Sequence, residues 1–404
     1  MLSSKNFLTV SLALGLAILV APAAAQKKYD SGASDTEIKI GQTMPYSGPA
    51  SAFGAIGKVQ AAYFRMLNEQ GGINKRKINF ISLDDGYSPP KTVEMVRRLV
   101  EQDEVLFLMG TVGTASNTAI HKYVNSKKVP HLFLVSGATK WNDPKHFPWT
   151  MGFNVNYQLE GKLYALDILK TRPNAKIAVL YQNDDYGKDY LKGFKDGLGD
   201  KAKTMIVAEQ TYEVTDPTID SQIVSLQGSG ADTFFNITTP KFGAQAIRKV
   251  ADVGWKPVHY LNNVSSSIGS VLKPAGMENA IGLISIQTNK GPTDPAWAND
   301  PVMKEYIAFL KNYAPDVNVA DGFGAFGYAM AQLTEHLLKQ AGDNLTRENV
   351  MKQAASLKNY QVPMMIPGIL ANTSPDDYAP FQTMQPVKFD GKTWVPYGKL
   401  VDVR

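Results

Sequence analysis

The sequence contains no cysteine. That excludes disulfides, thiolate metal sites and cysteine nucleophiles, and also the lipid tether that an exported protein carries on a cysteine at its cleavage point. Histidine is scarce: His121, His131, His146, His259 and His336 stand alone, with no recurring spacing to acids, so no metal site is expected. An excess of one charge is missing too. The net charge of +5 balances 42 basic against 37 acidic residues, scattered along the chain, and no basic run or aromatic-basic stripe suits nucleic acid. Past the N-terminal stretch no apolar run approaches the length of a membrane span. Nucleophile elbows, paired-histidine helices, Gly-Lys-Ser/Thr phosphate loops and dinucleotide fingerprints are all lacking. No enzyme and no cofactor are therefore expected.

What is there begins with a leader. Lys5, an apolar run over residues 7–20 and the small-residue tail Ala23-Ala24-Ala25 read as a secretory signal over residues 1–25, cleaved before Gln26. The mature protein is expected in the periplasm, free of a membrane anchor and monomeric. Its length, within a chain of 404 residues that is 44% hydrophobic, is enough for two packed domains.

The chain then alternates. Residues 37–44 read as a strand ending in the turn Pro45-Tyr46-Ser47-Gly48-Pro49, and a helix from about 52 to 70 stops at Gly71-Gly72. A strand over 77–83 ends in Asp84-Asp85-Gly86, before a helix over 88–102 with two prolines in its first turn. The apolar runs 105–109 and 132–135 read as buried parallel strands that stop in Gly110-Thr111-Val112-Gly113-Thr114 and Ser136-Gly137-Ala138-Thr139. Residues 141–153 read as a long loop plus an extended crossing segment. A second alternation follows, with strands over 176–181, 205–212, 233–237, 259–261 and 280–286 and helices between them. Further helices are expected over 302–313, 321–340 and 347–357, and a C-terminal hairpin turns at Asp390-Gly391. Strand and helix in alternation predict an α/β protein with two doubly wound lobes.

The hydroxyl and glycine turns at strand ends are the candidate chemistry. Ala119, Ile120, Tyr123 and Val124 recur at helical spacing after Thr114, so its hydroxyl stands near a helix start, where free N–H groups and the dipole favour an anion. A plain N-cap is the alternative. Asp84-Asp85 and Asp184-Asp185 read as helix caps or polar rims rather than acid/base pairs. With Phe53, Trp141, Tyr157, Tyr186 and Phe323, these turns describe a cleft for a small, partly apolar anion. Trp141 and Trp149 read equally as an extension of that aromatic wall and as packing anchors.

Several segments carry a resemblance. Ile38-Lys-Ile-Gly41 with Pro45-Tyr-Ser-Gly-Pro49, Asn68-Glu-Gln-Gly-Gly-Ile-Asn74-Lys-Arg-Lys-Ile78, Asp84-Asp85, Tyr186-Gly187 and Gly254-Trp255 resemble the leucine/isoleucine/valine-binding family. These are substrate-binding proteins of ABC importers. The resemblance implies a type I periplasmic-binding fold, two Rossmann-like lobes with three crossovers. Lobe 1 would hold residues 36–153 and 287–372, lobe 2 residues 154–286 and 373–404. It implies hinge closure on a ligand and an ABC permease in the inner membrane as partner. Thr114 matches the hydroxyl that holds the ligand carboxylate, Gly137 the carbonyl that meets an amino group, and Thr139 a hydroxyl touching both. Phe53 and Tyr186 match aromatic walls. Val112, Gly113, Ala138, Tyr157, Thr238, Thr239 and Asn263 complete the candidate ligand-binding set.

The amino end departs from the family. Where amino-acid binders carry a Glu, this chain offers Asn262 or Asn263, and Thr238-Thr239 stand where a tyrosine is usual. An enclosed ammonium without an anion partner is costly, so an aromatic or aliphatic acid is expected ahead of a standard amino acid. Genuine leucine/isoleucine/valine binding and a small-amide-binding sensory module are the alternatives.

Overall fold

The apolar runs end up side by side in two sheets. A computed structural model describes residues 27–402, so the signal reading on residues 1–25 lies outside the described residues. The first sheet is wholly parallel, in the order Lys77–Asp84, Glu37–Met44, Phe107–Met109, His131–Leu134, Thr150–Gly152. The second runs Ile206–Tyr212, Ile177–Gln182, Thr233–Ile237, Val258–Leu261, Ile284–Gln287, and ends in the antiparallel strands Thr383–Phe389 and Trp394–Pro396. The parallel strands are read as near-continuous apolar runs because helices cover both faces. Each sheet with its helices is a Rossmann-like layer set, and together they form the type I periplasmic-binding fold.

Two expectations are corrected. Residues 141–153 are not merely a loop and crossing segment: Thr150–Gly152 is a strand that pairs parallel with His131–Leu134, and Thr139–Trp141 is a 3-10 turn. Trp141 explains the anchorage. It is buried, its Nε1 donates to Ser136 Oγ at 2.8 Å, and its ring meets His121 edge-on, so it packs the wall from behind. Residues 280–286 split, because Met277–Ala280 forms a 3-10 turn and Gly282, at φ 91°, reverses the chain before Ile284–Gln287.

The chain passes between the sheets three times. It leaves the first after Thr150–Gly152 for helix Tyr157–Thr171, which packs on Asp185–Leu198 beside the second. It returns after Ile284–Gln287 to helices Pro301–Tyr313 and Gly322–Ala341, both packed on Gly54–Glu69. It crosses again before Thr383–Phe389. Phe153 of the first passage meets Phe326 and Phe381 edge-on, with ring centres 5.0 and 5.1 Å apart, so the passages share one aromatic core.

Candidate functional site

Every parallel strand of the first sheet ends toward the second, and the residues just past those ends face one another across a cleft, the place where α/β sheets bind ligands. One cavity lies there. Phe53, Tyr87, Thr114 and Asn154 approach from the first sheet's loops, Tyr186, Thr239, Asn263 and Gln287 from the second's, and Phe323 and Phe326 from helix Gly322–Ala341. Its volume is about 80 Å³, counted as space open to the centres of water molecules. That is room for roughly five to eight waters. None of the residues lining it is Asp, Glu, Lys or Arg.

Thr114 is the first residue of helix Thr114–Ser126, and Gly113, at φ 101°, turns the chain into it. Thr114 does not cap the helix. Its Oγ1 lies 2.7 Å from Ser136 Oγ, which itself accepts from Trp141 Nε1 at 2.8 Å and Ala138 N at 3.3 Å. With both lone pairs of Ser136 taken, its proton goes to Thr114, and the Thr114 proton is left to donate. The first intrahelical bond is Asn117 N to Gly113 O at 3.0 Å, so the N–H groups of Thr114, Ala115 and Ser116 precede it. Hydroxyl, N–H groups and dipole are together the kind of groups that meet an anion, with no cation beside them.

The walls are aromatic. Phe53 meets Phe323 edge-on at 4.9 Å, and Tyr157 meets Tyr186 at 5.3 Å while stacking on Tyr190 at 4.4 Å. The Tyr186 hydroxyl is spent inside the protein. It donates to Thr238 O at 2.9 Å and receives the Asn262 amide, so the ring rather than the phenol faces the cavity.

The other end is set by Asn263. Asn262 is fully engaged, with Thr238 N donating to its Oδ1 and its Nδ2 reaching Tyr186, whereas Asn263 lines the cavity. Asn263 Nδ2 donates to Ile286 O at 2.7 Å, which leaves its carboxamide oxygen. Behind it Glu160, buried, accepts from Asn263 N at 2.7 Å, Tyr164 OH at 2.8 Å and Tyr190 OH at 2.7 Å. Burial pushes the Glu160 carboxyl up to about 7, against the opposing pull of those donors.

Of the twelve residues expected from sequence, Phe53, Val112, Gly113, Thr114, Tyr157, Tyr186, Thr239 and Asn263 line the cavity. Gly137, Ala138, Thr139 and Thr238 are not among its lining residues. The Gly137 carbonyl accepts Tyr157 N at 2.8 Å, and a Cβ there would stand 2.1 Å from Val155 O. Thr139 is exposed and bonds Asp189 Oδ2 through N and Oγ1, at 2.9 and 3.1 Å. Thr238 is buried, its Oγ1 donating to Asn236 Oδ1 at 2.7 Å. The paired acids act as caps and turn anchors. Asp184 accepts from Tyr186 N and Gly187 N, Asp84 from Ser47 and Gly86, and Asp85 from Tyr87 N and Thr92. Tyr87, Asn154, Gln287 and Trp394 were missed. The local hint was that each lies at or close to a strand end: Gln287 closes a strand, Trp394 opens one, and Tyr87 and Asn154 follow shortly after one.

Two lobes with an uncharged cleft between them are the layout of a binding protein of the type I periplasmic class. The chain belongs to the periplasmic binding protein family, whose model matches residues 37–393. Leu/Ile/Val-binding protein homolog 1 of Brucella suis biovar 1 (strain 1330) is 26% identical over 340 residues, 81% of this chain and 85% of that one. A branched chain amino acid ABC transporter protein from Thermus thermophilus with bound valine superposes with a TM-score of 0.81 at 14% identity, over 91% of this chain and 97% of that one. The solute binding protein of an ABC transporter from Rhodopseudomonas palustris BisB5, in complex with 3,4-dihydroxy benzoic acid, superposes with a TM-score of 0.75 at 17% identity, over 91% and 98%. At such identities the superpositions establish the shared fold. No helix among the described residues is long and apolar enough to cross a membrane.

Proposed function

We propose that this protein is the periplasmic substrate-binding component of an ABC importer and that it takes a small carboxylate with an apolar body, an aromatic or aliphatic acid, in preference to a standard amino acid. It is exported by a cleavable signal, works as a monomer and hands its ligand to an inner-membrane permease. One observation carries the ligand class: the cavity has hydroxyl and N–H donors at Thr114 but no charged side chain in its lining. A carboxylate is met by donors and a helix start, while the ammonium of an amino acid would meet only neutral oxygens, such as those of Asn154 and Asn263, and no carboxylate. Glu160 offers it nothing, because its oxygens already serve three protein donors. The two lobes, 36–153 with 287–372 and 154–286 with 373–404, close on the ligand as rigid units about the Phe153 core.

A second reading is leucine, isoleucine or valine binding, favoured by the name of the Brucella relative and by valine in the Thermus neighbour. A thermal-shift screen of the mature protein, stripped of carried-over ligand by unfolding and refolding, separates the two. At one hundred times Kd a ligand stabilises the native state by about 2.7 kcal/mol. The expected result is a concentration-dependent rise with benzoate-like or branched aliphatic acids and none with leucine. A larger shift with leucine, isoleucine or valine overturns the proposal.

A further inference from the structure

The Thr114 hydroxyl serves one part of the cavity. Two carboxamides in the lining have no such task inside the protein. Asn154 Oδ1 is buried without a hydrogen-bond partner, and the rest of that side chain bonds no described residue either. The Gln287 side chain, half-buried, is equally without a partner among the described residues. Asn262, by contrast, has both ends of its carboxamide engaged. A carboxamide offers two N–H donors and an acceptor oxygen, and buried polar groups are nearly always paired, so two idle ones in a single cavity point to a ligand.

Both side chains are presented from backbone that is tied down on either side. Before Asn154, Phe153 N donates to Leu134 O at 3.1 Å, and after it Tyr157 N donates to Gly137 O at 2.8 Å. Before Gln287, Ile286 O accepts Asn263 Nδ2 at 2.7 Å, and after it Thr288 O accepts Ile366 N at 2.9 Å. Fixed points of this kind suit recognition. Asn154 opens the first passage between the sheets and Gln287 the second, so both reach the cavity from the side of the hinge. Thr114 follows the third strand of the first sheet and Asn154 the fifth, with His131–Leu134 between them. Hydroxyl and carboxamide therefore meet different parts of a ligand.

We infer that Asn154 and Gln287 determine specificity by reading a neutral group that both donates and accepts hydrogen bonds, a hydroxyl or a carboxamide, carried by the acid away from its carboxylate. The inference rests on the carboxylate reading above. A methyl group in that position would displace water from the two carboxamides and return no hydrogen bond, whereas a hydroxyl of nearly the same size replaces what the water gave. The selection is therefore between isosteres, not between sizes. The pair is uncharged, so it meets a neutral partner without the cost of enclosing a second charge.

The test is calorimetric titration of the mature protein with pairs that differ in hydroxyl against methyl: 3-hydroxybenzoate against 3-methylbenzoate, 4-hydroxybenzoate against 4-methylbenzoate, and 5-hydroxypentanoate against hexanoate. At least one pair should favour the hydroxyl roughly ten-fold or more. Asn154→Leu and Gln287→Met each replace a carboxamide by an apolar side chain of similar shape, and each should lower the hydroxyl-to-methyl ratio of that pair roughly five-fold or more. The two positions lie in different lobes' strand ends, so one variant covers the case in which the other fails to fold. A merely structural role would weaken both members of a pair alike and leave the ratio unmoved. Methyl members that bind as tightly as their hydroxyl partners in every pair, or a ratio that neither variant changes, overturns the inference while leaving the carboxylate reading standing. Failure of every acid, with binding of leucine, instead overturns the carboxylate reading.

Discussion

Glu160 Oε1 accepts the backbone N–H of Asn263 at 2.7 Å, so the buried carboxyl that stands nearest the far wall of the cleft holds that wall in place instead of facing the ligand. Its carboxyl joins helix Tyr157–Thr171, Tyr190 of helix Asp185–Leu198 and the turn after Val258–Leu261. The groups facing it are the two tyrosine hydroxyls and that one amide.

A pH dependence follows with a definite sign. Burial raises the folded-state carboxyl of Glu160 from 4.5 to about 7, so the folded state binds its proton more tightly than the unfolded one. Its contribution to stability is therefore fully favourable below about 4.5 and is lost as pH rises to about 7, by about 3 kcal/mol at most. His131 and His259, which burial holds at about 3, act in the opposite direction from pH 6.5 downward, so the wild-type profile alone mixes the two. The difference between wild type and Glu160→Gln in urea unfolding isolates the carboxyl. Wild type should lose stability relative to the variant between pH 4.5 and 7, and a constant difference would mean that the carboxyl is not perturbed.

Thr114 supplies the donor of the proposed anion subsite. Thr114→Val deletes it and strands the Ser136 proton, so Kd for the best acid should rise roughly 10- to 100-fold with a stability loss of about 1 kcal/mol. Thr114→Ser keeps the hydroxyl and should stay within roughly three-fold of wild type. Equal losses from both substitutions in calorimetric titration would assign the effect to packing.

Gly113 is needed on two counts. Its φ is 101°, and a Cβ there would lie 2.7 Å from the Tyr87 ring. Gly113→Ala should cost about 2–4 kcal/mol in urea unfolding, from backbone strain plus overpacking. In a Tyr87→Ala background the same Gly113→Ala change should cost less, by the packing share alone. No cost of Gly113→Ala in that background would show that the backbone carries no strain.

Asp321 ties the two lobes on the rim of the cleft. Ser267 Oγ and Ser270 Oγ donate to its carboxylate at 3.0 and 2.6 Å, and beside it Gly269 N meets Ala320 O at 2.9 Å. Asp321→Asn keeps a good N-cap for helix Gly322–Ala341 but weakens charge-assisted bonds to neutral ones. Ligand dissociation should speed up roughly three- to ten-fold in stopped-flow displacement, and the unliganded radius of gyration in small-angle scattering should grow. An unchanged dissociation rate would remove this contact from the closing mechanism.

Much of this was legible beforehand, for a physical reason. Strand and helix signals are local, and the apolar runs at 105–109 and 132–135 could only be buried strands once flanked by glycine and hydroxyl turns. The turn carrying Thr114 was legible because a helix start and its donors are adjacent in sequence. Thr139 shows the limit. It shares the pattern of Thr114, yet it lies exposed against Asp189, fifty residues on, because only packing decides which side of a turn meets the cleft. The pairing of Lys28–Tyr29 with Asn344–Leu345 joins segments too distant for any periodicity to reveal.

The amino-acid order by itself determined the α/β alternation, the lack of cysteine and of metal-ligand spacing, the hydroxyl at the start of helix Thr114–Ser126 and the replacement of an acid by asparagine near residue 263. Tertiary structure decided that Asn263 rather than Asn262 reaches the cavity, that Glu160 is spent on protein donors and that Trp394 joins the cavity lining. Each of these depends on which distant groups compete for the same few hydrogen bonds and the same small volume, and that competition exists only once the two sheets are brought together.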